Sequence, residues 1–260
     1  MLNKIQTYLK FLFKSTNQHG VHSPFVYDFI TKCLYNNNHL NSDNFKQINI
    51  FKASFKNNHN FITITDFGAG SKVFKSNTRK ISAIAKNAGI SKKRSELLYQ
   101  ITQHFEAKQI LEIGTSLGIA TASMVLANRN GVITTLEGCP ETAKIAQNQF
   151  NKFSFKNINI EVGNFKNTLP KAIENKKYDL IYFDGNHQEQ ATINYFEQCL
   201  STIHNESIFI FDDIHWSGGM ETAWNYIKNH KRVTVSIDTY QWGIIFFRKE
   251  QPKEHFTIRV

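Results

Sequence analysis

The sequence has few cysteines and no long apolar run. Its three cysteines, Cys33, Cys139 and Cys199, lie far apart among 260 residues and form no C-x-x-C pair. They argue against zinc and favour a reducing, cytoplasmic compartment. The N-terminal stretch Leu2 to Phe13 is too short and too interrupted by lysine to span a membrane. No small-residue cleavage site follows it, so we expect neither a transmembrane segment nor a secretory signal.

Acidic residues are scarce in the first 100 positions, which hold 15 Lys and Arg against 4 Asp and Glu. Residues 101–260 hold 16 against 17, so the whole net charge of +10 originates before them. Such an asymmetry occurs in proteins that bind nucleic acid or anionic surfaces. A solvated basic surface is the simpler interpretation, because the region contains no zinc finger and no recognised RNA-binding pattern. Nucleic acid is therefore the less favoured partner.

The most informative stretch of the chain is residues 109–137, QILEIGTSLGIATASMVLANRNGVITTLE. Gln109 to Ile113 is a short apolar run that predicts a buried strand, and a glycine turn follows it. Gly118 then opens a helical pattern, and Val132 to Leu136 is a second predicted strand that ends at Glu137. This is half of a nucleotide-binding α/β unit. Backbone N–H groups at a helix N-terminus lie on one side, and a carboxylate that can hold a ribose lies on the other.

The spacing of the glycine turn distinguishes between cofactors. A dinucleotide fingerprint has glycine at the middle position, where the backbone approaches a pyrophosphate, whereas this turn carries Ser116 there. Glu112 adds a negative charge just before the turn, which would repel phosphate and attract a sulfonium or ammonium group. The segment LEIGTSLG followed by TTLEG resembles the first two motifs of class I S-adenosylmethionine-dependent methyltransferases. An ordinary βαβ unit with a chance acid is the alternative.

The resemblance implies S-adenosylmethionine as the cofactor, with its methionine half along Glu112 and its ribose hydroxyls on Glu137. Gly163 and Asn164 stand where the family commonly has a Gly-Asp pair beside the adenine, and Asn164 can still donate and accept hydrogen bonds. The residues that the resemblance assigns to cofactor binding are Glu112, Gly114, Thr115, Ser116, Gly118, Glu137, Gly138, Gly163, Asn164 and Asp184.

Strand and helix patterns alternate through the rest of the chain. Further strands are predicted at Ile158–Val162, Tyr178–Phe183, Ile208–Phe211, Val233–Ile237 and Trp242–Phe247. The helices between them are predicted at Glu141–Asn151, Leu169–Asn175, Glu189–Ser201 and Gly219–Asn229. Such alternation predicts a parallel sheet covered on both faces. We therefore expect an α/β fold. It comprises a Rossmann-like, doubly wound sheet of about seven strands, with an antiparallel last strand and an N-terminal helical extension.

Three carboxylates follow the ends of two predicted strands, Asp184 after one and Asp212 with Asp213 after the next. Strand ends of an open α/β sheet converge on one crevice, and clustered carboxylates repel each other unless a cation neutralises them. An all-oxygen set suits Mg²⁺ or Ca²⁺. The segments YDLIYFDGNH and FIFDDIHWSGGM resemble the metal-dependent O-methyltransferases of the catechol and sugar types. This implies an optional Mg²⁺ on Asp184, Asp212 and Asp213, and turn or helix capping is the alternative role.

His187 and His215 each stand near an acid at a predicted strand end. Histidine can take a proton near neutral pH with little tuning. We therefore name His187, His215 and Asp184 as the candidate catalytic residues. A hydrogen-bonded surface role is the alternative for either histidine.

A second glycine-rich stretch, Thr65 to Ser71 (TDFGAGS), also resembles a methyltransferase glycine motif. Lysines and an arginine follow it, and no strand ending in an acid appears about twenty residues on, as the fingerprint requires. We therefore expect a turn or a loop over the site here.

Together these patterns predict a basic, mainly helical extension or lid at residues 1–90 and a class I methyltransferase domain at residues 91–260. The expected activity is methyl transfer from S-adenosylmethionine to a hydroxyl of a small molecule. The alternatives are an RNA or protein methyltransferase that uses the basic N-terminal region, a non-catalytic cofactor-binding module and, more distantly, a nicotinamide dehydrogenase. Leu2 to Phe13 is expected to pack on its own domain or on a second subunit, which leaves a homodimer open.

Overall fold

The computed structural model describes residues 2–36, 43–68, 70, 76–87 and 89–260. The main helices, in chain order, are α1 (Leu2–Lys14), α2 (Pro24–Asp28), α3 (Asp43–Ala53), α4 (Ile81–Asn87), α5 (Lys92–His104), α6 (Ile119–Ala127), α7 (Pro140–Lys152), α8 (Phe165–Ile173), α9 (Glu189–Cys199) and α10 (Gly218–Asn229). The strands are β1 (Phe61–Thr63), β2 (Thr78–Lys80), β3 (Gln109–Ile113), β4 (Val132–Glu137), β5 (Ile158–Val162), β6 (Leu180–Phe183), β7 (Ile208–Asp212), β8 (Val235–Asp238), β9 (Trp242–Phe246) and β10 (Glu254–Thr257).

The chain forms two compact units. The central unit comprises residues 36–172, and the terminal unit comprises residues 1–35 together with 173–260. The first 90 residues are thus shared between both units. The functional division between residues 1–90 and 91–260 stays a prediction.

The central unit contains the parallel strands β3, β4 and β5 in that order. Strand β3 is apolar except at Gln109 and Glu112, and its last four residues are buried, as expected for a strand covered on both faces. Phe51 of α3 and Phe150 of α7 are fully buried and stack at 6.0 Å. Helix α3, from the basic N-terminal region, is therefore part of the core of this unit.

The terminal unit contains five strands in the order β10-β8-β9-β7-β6. Strands β6 and β7 are parallel, while β9 runs antiparallel to both β7 and β8. Strand β7 (IFIFD) is buried along its whole length. Phe25 and Phe29 pack against Phe246 of β9 at 5.0 and 5.4 Å. Residues from both ends of the chain therefore share one core.

The α/β class and the antiparallel strand near the C-terminus are confirmed. The strand count differs from the expected number of about seven. Apart from β1 and β2, the two units together contain eight strands. The additional strand, β10, pairs in parallel with β8. A small antiparallel hairpin, β1 with β2, also interrupts the predicted helical extension. Within the described residues, no helix is both long and apolar enough to cross a membrane.

Candidate active site

The turn after β3 has a backbone that glycine favours at two positions. Gly114 and Gly118 adopt φ values of 109° and 76°, and Ser116 between them adopts 49°. A Cβ atom on Gly118 would lie 2.3 Å from Cζ of Phe150, so no side chain fits there. Gly118 is also the N-cap of α6. The turn therefore brings the chain sharply from the strand into the helix. Its N–H groups are held within the fold, because those of Gly114 and Thr115 donate to the carbonyl of Leu136 and that of Gly118 donates to the carbonyl of Thr115.

Glu137, at the end of β4, is held by the backbone of the two turns beside it. The N–H of Ser116 donates to its Oε2 at 2.7 Å, and the N–H of Cys139 donates to its Oε1 at 2.8 Å. Burial raises the pKa of Glu137 above its ordinary value, although these N–H groups oppose the shift. Each carboxylate oxygen has a second lone pair. The carboxylate is thus fixed in a position from which it can accept hydrogen bonds from a diol.

Glu112 is fully buried one strand away. The hydroxyls of Thr121 and Thr135 both donate to its Oε2 at 2.5 Å. Its Oε1 has no hydrogen-bond partner among the residues that the structure describes. Burial raises the pKa of Glu112 to about 8, although the hydrogen bonds from Thr121 and Thr135 oppose the shift. A buried carboxyl with one unsatisfied oxygen suits a cationic ligand group, because a positive charge would favour ionisation.

Gly163 and Asn164 follow β5 and lie in a turn that is bonded back to β4. Gly163 adopts a φ of 142°, and its N–H donates to the carbonyl of Glu137 at 2.9 Å. Oδ1 of Asn164 accepts from the N–H of Lys166 at 3.0 Å at the start of α8. The structure therefore places this pair beside Glu137, and Asn164 also acts as a helix cap.

The segment around Phe67 is a feature that the sequence placed only as a turn or loop. Residues 64–67 have no regular structure, and Ala69 and Ser71 lie outside the described residues. The N–H of Thr65 donates to Sγ of Cys139 at 3.4 Å. A Cβ atom on Gly138 would lie 3.0 Å from the Phe67 ring, so this ring covers the residue after Glu137. Asp66 is close enough to Glu137 to raise the pKa of Glu137 further.

The terminal unit brings together Asp184, His187 and Asp212. One potential ligand atom from each lies within 4.8 Å of the others. Asn186 adopts a φ of 54°, which asparagine tolerates, and this turn folds His187 back to 3.7 Å from Asp184. Asp213 does not belong to this group. It adopts a φ of 53°, and its carbonyl accepts from the N–H of Trp216 at 2.9 Å.

Aromatic donors orient the two carboxylates of this group. Nε1 of Trp242, a fully buried side chain, donates to Oδ1 of Asp212 at 2.6 Å. The hydroxyl of Tyr182 donates to Oδ2 of Asp184 at 3.3 Å. Neither donor is close in sequence to both acids, and sequence reasoning named neither. The continuous apolar runs of β6 and β9 signal burial, but they do not show which acid each ring meets.

His215 has both ring nitrogens occupied. Nε2 lies 3.0 Å from Asp238 and Nδ1 lies 3.4 Å from Glu221, and the ring stacks on Tyr240 at 5.1 Å. Burial lowers the pKa of His215, but the hydrogen bonds and charges of the two acids outweigh it, so the net pKa lies above its ordinary value. This arrangement suits a charged residue that fixes the loop after β7. His215 is therefore not a member of the Asp184 group, and both of its ring nitrogens already have acidic partners.

The fold and these two clusters define a Rossmann-like α/β protein with acids at the ends of its strands. A family model described as O-methyltransferase matches residues 72–245. The chain belongs to this family.

Two curated proteins are similar to parts of the chain. The catechol O-methyltransferase of Niastella koreensis is 27% identical over 129 residues, which are 48% of this chain and 58% of that protein. The protein-L-isoaspartate O-methyltransferase of Methanocella arvoryzae is 38% identical over 66 residues, 25% of this chain and 35% of that protein. The chain thus matches less than two thirds of the length of each relative.

Solved structures share the fold at low sequence identity. The Podospora anserina methyltransferase PaMTH1 bound to SAH has a TM-score of 0.56 at 17% identity, over 64% of this chain and 82% of that one. The O-methyltransferase from Bacillus cereus in complex with SAH has a TM-score of 0.55 at 22% identity, over 64% and 86%. These similarities confirm the predicted Rossmann-like fold.

Proposed function

We propose that this protein transfers a methyl group from S-adenosylmethionine to a hydroxyl of a small molecule. The observation that carries the proposal is the fixed carboxylate of Glu137, which stands at the end of β4 and accepts from the N–H groups of Ser116 and Cys139. Membership of the O-methyltransferase family supports the reaction class. The SAH-bound fold relatives support the choice of cofactor. An acceptor with a catechol or similar hydroxyl is consistent with the relative from Niastella koreensis.

In this proposal, the site residues of the central unit have distinct roles. Glu137 accepts hydrogen bonds from the ribose hydroxyls, and Gly114 to Gly118 line the methionine half. Glu112 ionises when the cationic end of the cofactor approaches, since a nearby positive charge lowers the pKa that burial raises to about 8. The cofactor supplies an electrophilic methyl group on a sulfonium. Because that methyl is already activated, orientation of the acceptor accounts for much of the remaining barrier.

The residues of the terminal unit handle the acceptor proton. Asp184, His187 and Asp212 form the basic cluster to which the hydroxyl proton passes, directly or through water. Trp242 and Tyr182 keep the two carboxylates oriented during this transfer. A divalent cation held by the same side chains would supply positive charge that lowers the pKa of a nearby hydroxyl. His215 is a positioning residue rather than a base in this scheme.

Calorimetric titration with S-adenosylhomocysteine tests the cofactor assignment, with NADH as the control ligand. Micromolar binding is expected for S-adenosylhomocysteine and none for NADH. Glu137→Ala should weaken that binding by about 1 to 3 kcal/mol, because a charge-assisted hydrogen bond to the ribose is lost. Glu141→Ala, an exposed residue of α7, should leave it unchanged. Equal affinities of both variants for S-adenosylhomocysteine would contradict the assignment of Glu137 to the ribose. If the protein binds S-adenosylhomocysteine but methylates no hydroxyl acceptor, a non-catalytic module is favoured instead.

A second candidate function, methylation of RNA, is favoured by one basic cavity. A cavity of about 570 Å³ in the central unit is lined by Lys52, Lys56 and Lys86. Burial, and then the charges of Arg94 and Lys56, lower the pKa of Lys52. Such a cavity would attract phosphate groups.

Fluorescence anisotropy with a short labelled RNA tests this second function. Binding that falls with salt and is lost in the triple variant K52Q/K56Q/K86Q would support it. K144Q/K152Q/K171Q, which changes three exposed lysines of the same unit, is the matched control. Equal binding by both triple variants would show that only the general basic charge acts.

A further inference from the structure

The candidate metal ligands in the terminal unit are not the all-oxygen set that the acidic pattern indicates. The group that comes together consists of two carboxylates and one imidazole, from Asp184, Asp212 and His187. Asp213, the third carboxylate of the sequence pattern, is absent from it. Oxygen-only sites suit Mg²⁺ and Ca²⁺, whereas imidazole favours first-row transition ions.

The charge of the group also fits one divalent ion. Two carboxylates and a neutral imidazole carry two negative charges, which a dication neutralises. A set with Asp213 in place of His187 would carry three. Replacing a carboxylate by an imidazole therefore removes the excess charge without removing a ligand.

The ligands are held in place by their surroundings. The indole N–H of Trp242 fixes Asp212, and the hydroxyl of Tyr182 fixes Asp184. The turn at Asn186 positions His187, and the Asn186 side chain donates to the hydroxyl of Tyr195 at 3.3 Å. Such outer partners orient ligands in metal sites generally.

The space beside the ligands is small. A cavity of about 10 Å³, enough for about one water-sized particle, borders His187 and Asp212. Aromatic and apolar side chains form much of the rest of its lining, including Phe183, Phe211 and Met220. A compact ion at this position would be partly shielded from bulk water.

We infer that Asp184, His187 and Asp212 form a site for a divalent first-row transition ion, Mn²⁺ or Fe²⁺, in preference to Mg²⁺. His187 is a ligand of this site, and Asp213 is not. The site rests on the proposed function and deepens it, because a cation held there would lower the pKa of the acceptor hydroxyl. Metal binding itself can be measured without any methyl transfer, so the two can fail separately.

Titration with Mn²⁺ followed by electron paramagnetic resonance tests the site on the full chain. Mn²⁺ is expected to bind at least tenfold more tightly than Mg²⁺ in competition, and pulsed spectra should show coupling to one nitrogen. His187→Gln should remove that coupling and weaken Mn²⁺ binding at least tenfold, as changes at or around metal ligands generally do. His187→Asp, which restores an all-oxygen set, should shift the preference toward Mg²⁺.

Two control variants separate the site from its surroundings. His204→Gln changes another histidine of the same unit, one that lies 3.0 Å from Asp179, and should leave the nitrogen coupling and affinity unchanged. Asp213→Asn should also leave both unchanged, since asparagine tolerates the left-handed backbone there. Loss of Mn²⁺ binding in Asp213→Asn, persistent nitrogen coupling in His187→Gln, or stronger binding of Mg²⁺ by the parent protein would overturn the inference. S-adenosylhomocysteine binding in the same samples reports separately on the proposed function.

Discussion

The two units build their candidate sites in different ways. The central unit uses mainly one stretch of about thirty residues. In it, Glu112 and Glu137 lie on neighbouring strands, and backbone N–H groups of the adjacent turns hold Glu137 in place. The terminal unit assembles side chains that are far apart along the chain, such as Asp212 and Trp242, which are 30 residues apart. The first kind of site depends on backbone conformation, and the second depends on side-chain hydrogen bonds. Substitutions should therefore affect the two sites through different mechanisms.

The largest expected effect is a glycine substitution in the central unit. Gly118→Ala would place a Cβ atom 2.3 Å from the Phe150 ring on a backbone with a φ of 76°. Overpacking and the left-handed backbone together should lower the free energy of unfolding by about 3 kcal/mol or more. Gly218→Ala at the start of α10 meets nothing within 4 Å and should change it by no more than about 1 kcal/mol. Urea unfolding followed by circular dichroism measures both, and similar values would contradict the comparison.

A pH series tests the buried acid of the central site. Burial raises the folded-state pKa of Glu112 to about 8, against an ordinary value of 4.5. Between these values the folded protein keeps a proton that the unfolded chain releases. The contribution of Glu112 to the free energy of unfolding is therefore complete at low pH. It falls by about 1 kcal/mol per pH unit as the pH rises toward 8.

Glu112→Gln removes this titration and should give a flatter profile of unfolding free energy between pH 5 and pH 8. Glu141→Gln, an exposed neighbour in the same unit, should keep the slope of the parent protein. If the parent and Glu112→Gln profiles ran parallel, Glu112 would already be ionised in the folded protein.

The corresponding test in the terminal unit removes one side-chain hydrogen bond. Trp242→Phe deletes the indole N–H that donates to Asp212 and should lower the free energy of unfolding by about 2 kcal/mol more than a matched substitution. The match is Trp224→Phe, because Nε1 of Trp224 is buried with no partner among the described residues. Urea unfolding of both variants gives the difference. Equal losses would mean that ring volume, and not the hydrogen bond, stabilises this region.

The sequence predicted the central site well because its signals are local. The bounds of β3 and β5 agree residue by residue, and Glu137 lies at the end of β4 as expected. Residues 109–137 contain all of these signals, namely an apolar run, a glycine turn and an acid at the end of the next strand. The backbone bonds to Glu137 then follow from the turn itself.

The terminal site was predicted only in part, because its contacts join distant segments. Asp184 and Asp212 were named as ligands, but the choice between His187 and Asp213 depends on two turns with positive φ. The pairing of His215 with Asp238 joins residues 23 apart, and no local pattern signals it. Strand β10 escaped prediction because its residues are half-exposed and lack apolar alternation.

The smallest expected effect concerns an aromatic side chain at the central site that comes from outside residues 109–137. Phe67 comes from a separate segment and covers Gly138, the residue after Glu137. If the ring shields the ribose pocket from water, Phe67→Ala should weaken S-adenosylhomocysteine binding by about 1 kcal/mol, roughly fivefold. Phe61→Ala removes a ring that is 65% exposed in the nearby hairpin strand and should change nothing. Calorimetric titration of both variants with S-adenosylhomocysteine measures these affinities. Unchanged binding in Phe67→Ala would mean that this ring contributes nothing to the central site, whereas a selective loss would show that a side chain distant in sequence contributes to it, as side chains do in the terminal site.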